Sequence, residues 1–194
     1  MGILRRPCAG ESFGAVKPER GTMRISSVSL ALAAVLAVGC TTTSGTDPVR
    51  SYSGFDRGAV VDIAGHGAAC TAMLCPGLGA QWQQARPDRA ILNVYLFNVW
   101  TPITQAALNI DGRIVQLDNL TTITNFSPPG SAMRESRRSF AVELQLIRDI
   151  LAANRVWLRV GTTDGTVEVA VIDGAQDSRP FNALKRFIAA VDTR

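Results

Sequence analysis

The chain has 194 residues with 20 basic against 16 acidic side chains, but five of the basic and two of the acidic groups fall in residues 1–39, leaving 15 against 14 from Cys40 onward. That near-neutral remainder carries no Arg/Lys stripe interleaved with aromatics, which excludes a nucleic-acid-binding face. Apolar residues make up 46% of the chain, enough to exclude an intrinsically disordered protein and to give one folded domain with appendages.

The N-terminal part divides in two. Residues 1–22 hold Pro7, Pro18, Glu11 and Glu19, do not fit an export signal, and read as an upstream extension from a mis-called start, with Met23 the true first residue. From there, Met23-Arg24-Ile25-Ser26-Ser27 is a short basic segment, and residues 28–38 are an apolar run. Eleven residues in a helix rise roughly 17 Å, too short for a ~30 Å hydrocarbon core but suited to the apolar centre of a signal peptide. The run ends in Leu36-Ala37-Val38-Gly39-Cys40.

That ending resembles the lipobox of bacterial lipoproteins. The small residue before the Cys is present as Gly39, and the departure is Ala37, where Leu is usual. The resemblance implies removal of residues 23–39 as the signal peptide. It also implies a diacylglycerol thioether on the Cys40 sulfur and an acyl chain such as palmitate on its amino group. Several acyl chains make a lasting membrane anchor. With Thr41 rather than Asp after the Cys, the resemblance implies the outer membrane, inner leaflet, facing the periplasm.

Residues 40–54 are small and polar and read as a flexible tether. Residues 55–194 then form a single domain. In chain order, a strand is predicted at 59–63, followed by a Gly-rich stretch, 65–79, holding Cys70 and Cys75. Another strand is predicted at 90–97. Asp111-Gly112 suits a type I′ turn pairing Leu108 with Val115 and Ala106 with Leu117. Strands at 120–126 and a short edge strand at 138–142 follow. Leu144, Ile147, Ile150 and Leu151 recur at helical spacing, with Asn154 a stop. A second hairpin turns at Asp164-Gly165, setting Leu158 against Val171 and Val160 against Val169. Asp177 or Ser178 caps a last helix, with Pro180 in its first turn and Phe181, Leu184, Phe187, Ile188 and Val191 as its apolar stripe. The pattern predicts an α+β domain: a mainly antiparallel sheet with two Asp-Gly hairpins and two amphipathic helices packed on one face.

Candidate chemistry is sparse. With Cys8 in the extension and Cys40 lipidated, Cys70 and Cys75 are left as a pair in an oxidising compartment, and a disulfide is expected. His66, the only histidine, would join them as a soft-metal set only if both thiols were reduced, so no metal or other cofactor is expected. No Gly-x-Ser-x-Gly element or phosphate loop is present. A hydrolase would need two neighbouring carboxylates in a cleft, and Asp164 and Asp173 are the nearest suggestion. No enzyme activity is expected. The longest connection, 127–138, carries Arg134, Arg137 and Arg138, which suit an anionic partner, and Trp157 with Arg159 point away from the valine face of their strand, either as exposed interface material or beneath a covering helix. The functional expectation is a non-enzymatic accessory lipoprotein, held to the membrane through Cys40 and meeting an envelope protein. The alternative is a small apolar or amphipathic ligand bound between sheet and helices. Oligomeric state is not readable.

Overall fold

A computed structural model describes residues 45–70 and 74–193; the expectations for the 1–22 extension, the 23–39 signal peptide and the lipid on Cys40 lie outside the described residues. Period-two alternation of apolar and polar side chains governs most of what is described. The strands in chain order begin with β1 (Val49–Ser53), β2 (Gly58–Gly67), β3 (Cys75–Gln83), β4 (Arg89–Phe97), β5 (Ile103–Ile110) and β6 (Arg113–Gln116). Two-residue pieces β7 (Asp118–Asn119) and β8 (Asn125–Phe126) precede β9 (Glu135–Glu143) and α1 (Leu144–Ala152). Then come β10 (Arg155–Thr162), β11 (Gly165–Asp173), β12 (Gln176–Asp177) and α2 (Arg179–Asp192).

All described pairings are antiparallel. They build two sheets: one in the order β1-β2-β3-β4-β9-β7, with β8 also on β9, and one in the order β12-β11-β10-β5-β6. The domain is therefore mainly β, with 53% of the described residues in strands and 16% in helices. This corrects the expected α+β arrangement of a sheet with two helices on one face. Two strands that the composition conceals, β1 and β3, enlarge the first sheet. The chain then leaves that sheet after β4, and β5 begins a second one. The inner faces of both sheets and both helices share one apolar core, which includes Ile63, Leu78, Leu92, Leu108, Phe140, Ile147, Leu158 and Phe187. Each such side chain, fully withdrawn from water, contributes about 1.5–3 kcal/mol.

The helices form where expected. α1 buries Leu144, Ile147 and Ile150 and stops at Ala153. Ser178, not Asp177, caps α2: its hydroxyl accepts from the Phe181 backbone N–H, and Pro180 sits in the first turn, where a missing N–H costs nothing. α2 packs along β2 and β3 and is also held from outside the helix. Arg50 on β1 donates to the Ala190 carbonyl at 2.5 Å and to the Thr193 carbonyl at 3.1 Å, both orphan acceptors at the helix end. Asp47 pairs with Arg186, and Thr46 is fully buried. The expected tether of residues 40–54 is thus shortened: from Thr46 onward the chain belongs to the folded domain, and β1 pairs along its whole length with β2.

The first hairpin is as read from the sequence. Asp111 and Gly112 take φ of 48° and 94°, Leu108 faces Val115, and the Leu117 N–H donates to the Ala106 carbonyl. In the second hairpin the register differs by two residues. Leu158 faces Val169 and Val160 faces Val167, because Thr163-Asp164 make the turn and Gly165, at φ 140°, opens β11 opposite Thr162. A slip of two keeps every side chain on its own face, so Val156, Leu158, Val160, Val169 and Val171 are buried all the same.

Of the expected strand at 120–126 only its last two residues are strand, as β8, with β7 just before the segment; the short edge strand expected at 138–142 is nine-residue β9, lying between β4 and those two pieces. β3, for which no strand was expected, begins inside the Gly-rich stretch 65–79 and runs on to Gln83. A bulge in β2 between Ile63 and His66 pushes its backbone over β3. A Cβ on Gly77 would stand 2.3 Å from the His66 carbonyl oxygen, and one on Gly79 2.7 Å from that of Ile63. Glycine in this strand answers a close backbone approach.

Candidate functional site

The crossover from the first sheet to the second, residues 98–102, is locked by the inward row of β9. The Ser136 hydroxyl donates to the Val99 carbonyl and accepts from the Thr101 N–H, both at 3.0 Å. Arg138, only 7% exposed, donates from Nη1 to the Ile103 carbonyl at 2.5 Å and the Thr104 carbonyl at 2.9 Å, and from Nε to the Thr121 carbonyl at 3.1 Å. Its guanidinium ties β9, β5 and the 120–124 segment together. Arg138 is therefore withdrawn from the interaction set: it is a structural cation satisfied by backbone, and the 127–138 connection ends at Arg134, where β9 begins.

Arg134 and Arg137 stay exposed but do different things. The Arg134 guanidinium lies 5.3 Å from the centroid of the Trp100 ring, within range of a cation–π contact. The Trp100 indole N–H donates to the Ser127 hydroxyl at 3.0 Å. Trp100, Phe126, Ser127, Pro128 and Pro129 line an open depression of ≈ 470 Å³. Arg137 stands opposite Tyr95 in the register of β9 on β4. The Tyr95 ring stacks on Phe97 at 5.4 Å and lies against Gly65, where a Cβ would come within 2.5 Å of it. Burial raises the Tyr95 pKa above the ordinary phenol value, with the neighbouring Arg137 opposing.

Trp157 and Arg159 stand apart from this surface, on the outer face of the second sheet. Trp157 is 36% exposed, so this face is open. Arg155, Trp157 and Arg159 follow one another at period two on β10. With Asn109, Ile114 and Glu168 they line a depression of ≈ 310 Å³. Arg159 Nε donates to Glu168 Oε1 at 2.6 Å, and Arg155 Nε to Asp173 Oδ1 at 2.7 Å. Burial and hydrogen bonds thus separate the five residues: Arg134 and Arg137 on the first sheet's side, Arg138 inside, Trp157 and Arg159 on the second sheet. Sequence reasoning missed Asn109, Arg155 and Glu168. Glu168 was hidden by the two-residue register slip, since the expected pairing sets Ala170 rather than Glu168 opposite Arg159.

Cys70 and Cys75 are at disulfide distance, their Cα atoms 4.2 Å apart, and close the connection between β2 and β3. His66 lies nearby on β2, its Nε2 buried without a hydrogen-bond partner among the described residues. Its pKa is lowered, first by burial and then by the Arg179 charge. Among the described residues no group of three or more His, Cys, Asp or Glu is placed to hold a metal ion, and no helix is long and apolar enough to cross a membrane. Asp164 and Asp173 sit at opposite ends of β11, roughly 30 Å apart along an extended strand. Asp164 accepts from the Thr101 hydroxyl at 2.9 Å and Asp173 holds Arg155. These two acids do not form a catalytic pair.

The fold and its surfaces define a two-sheet, mainly β domain with two separate tryptophan–arginine faces. No family model, no curated protein and no solved structure matches this chain.

Proposed function

We propose that the chain is a lipid-anchored, periplasm-facing accessory protein of the bacterial envelope, attached through Cys40 and acting without catalysis by presenting its β domain to an envelope protein. The observation that carries this reading is the apolar run of residues 28–38 ending on Gly39-Cys40, too short to span a bilayer and correctly placed for acylation. The Cys70–Cys75 pair at disulfide distance agrees with an oxidising compartment. Because Thr46 is buried and Asp47 is ion-paired, five residues separate the anchor from the domain, so Cys40 and Thr46 stand at most about 20 Å apart along extended chain. Such a domain rides close to the bilayer and meets partners there.

The Trp100–Arg134 surface is the better candidate for a protein contact. Trp100 is 45% exposed, Phe126 48% and Met133 54%, and Trp and Arg are the residue types that dominate binding energy at interfaces. A ligand lodged between sheet and helices is less well supported, since the side chains there are already packed as core.

Fractionation tests the reading. The native protein should enter the detergent phase with the envelope, and Cys40→Ser should be released into the soluble fraction. The double variant Trp100→Ala/Arg134→Ala should stay with the envelope but lose the cross-linked partner of the native protein. A native protein that fractionates as soluble defeats the anchor, and a cross-linking pattern unchanged by the double variant defeats the surface.

A further inference from the structure

The outer face of the second sheet carries a polar and aromatic constellation that the envelope reading leaves unused. Trp157 stands on β10 between Arg155 and Arg159, across from Asn109 on β5, with Ile114 beyond on β6 and Glu168 opposite Arg159 on β11. The charges here are already matched: Arg155 by Asp173 and Arg159 by Glu168. The paired charges cancel, so net charge supplies little attraction for a charged partner.

What the face retains is hydrogen-bonding capacity. Asn109 Oδ1 accepts from the Gly112 N–H at 2.9 Å, which leaves the amide NH₂ to donate. Arg159 meets Glu168 through Nε and Oε1 alone. Its terminal nitrogens and the second carboxylate oxygen have no partner among the described residues, and neither does the Trp157 indole N–H. The depression they line is open and ≈ 310 Å³ in volume, at the small end of the range for ligand sites, ~300–1,000 Å³.

The geometry points to a binding site for a neutral saccharide. A pyranose ring presents one face of C–H bonds, which suits the electron-rich face of an indole. Its neighbouring hydroxyls each donate and accept. A guanidinium and a carboxylate held side by side by their own ion pair offer one donor and one acceptor at matching separation, so two adjacent hydroxyls are met without net charge. The Asn109 amide adds another donor, and Ala107 and Ile114, the latter 61% exposed, add apolar wall. A purely apolar ligand would bury these polar groups unsatisfied. The assignment stands whether or not Cys40 carries lipid.

The test is titration of the purified chain with chitohexaose, maltohexaose and cellohexaose, following the three indole N–H signals by NMR, assigned with Trp100→Phe and Trp157→Phe. At least one of these neutral oligosaccharides should shift the Trp157 signal saturably at millimolar concentration, leaving buried Trp82 unmoved. Trp157→Ala, followed on the Asn109 side-chain amide signal, should weaken binding about two- to tenfold, the worth of one aromatic contact. Glu168→Gln, which keeps the shape but removes the paired charge, should also weaken it. The proposal is overturned if none of the three gives a saturable Trp157 shift. It is equally overturned if Trp157→Ala, with its Trp82 signal native, binds undiminished, or if charged hexagalacturonate binds as well as the neutral sugars.

Discussion

The inward row of β9 and the outward row of β10 are both alternating strands that carry arginine, yet they put it to opposite uses. On β9, Arg138 is buried and its hydrogen bonds go to backbone carbonyls at the start of β5 and in the 120–124 segment. On β10, Arg155 and Arg159 are more than half exposed and meet carboxylates across the sheet. The inner arginine replaces backbone pairing that the crossover lacks. The outer ones organise a surface and leave hydrogen-bonding groups to water. Arginine on a strand is thus a structural group or a surface group according to which face it occupies, and neighbouring Arg137 and Arg138 separate on that ground alone.

Paired substitutions sharpen the contrast. Arg138→Met should cost about 3 kcal/mol or more in urea denaturation, because buried carbonyls lose their donors. Arg159→Met should change stability by no more than about 0.5 kcal/mol, as for an exposed ion pair. Equal losses would erase the distinction between the faces. Removing the Cys70–Cys75 link with Cys70→Ser/Cys75→Ser should cost about 2 kcal/mol, the closure entropy of a short loop, and leave the midpoint insensitive to reductant. Ser136→Ala, which strips the crossover of one donor and one acceptor, should cost about 1–2 kcal/mol, against an almost silent Thr166→Ala on the outer sheet.

The smallest effect is a pH dependence. His66 has a lowered pKa in the folded state, so the unfolded chain takes up its proton first as pH falls. Stability is full above the ordinary imidazole value of about 6.5, declines as pH drops below it, and levels off below the folded pKa. His66→Gln should flatten that slope in urea titrations between pH 7 and 5. An unchanged slope would assign the effect elsewhere.

Elements whose pattern and backbone needs coincide were legible in the sequence. Asp111-Gly112 supplies the positive φ angles its turn uses, and the stripes of α1 and α2 are buried as spaced. β3 was not legible, because Pro76, Gly77 and Gly79 resemble a loop and their reason, the bulged backbone of β2, lies on another strand. β1 was concealed by its exposure: an edge strand reading Val-Arg-Ser-Tyr-Ser buries too little to alternate visibly. Residues 120–124 show the reverse. They are rich in β-branched side chains, yet the Thr121 carbonyl is drawn to Arg138 instead of to a ladder. The Trp157–Arg159 face was half legible, since its β10 members follow period two while Glu168 and Asn109 join only through cross-strand register.

The proposed placement of the domain outside the cytosol rests on the chemistry of one sulfur. Mass spectrometry of protein taken from its own membranes decides it: the account predicts an N-terminal fragment beginning at Cys40 and heavier than its sequence by a diacylglycerol and a further acyl chain. A fragment that carries residues 28–39 intact, or an unmodified Cys40 thiol, contradicts it.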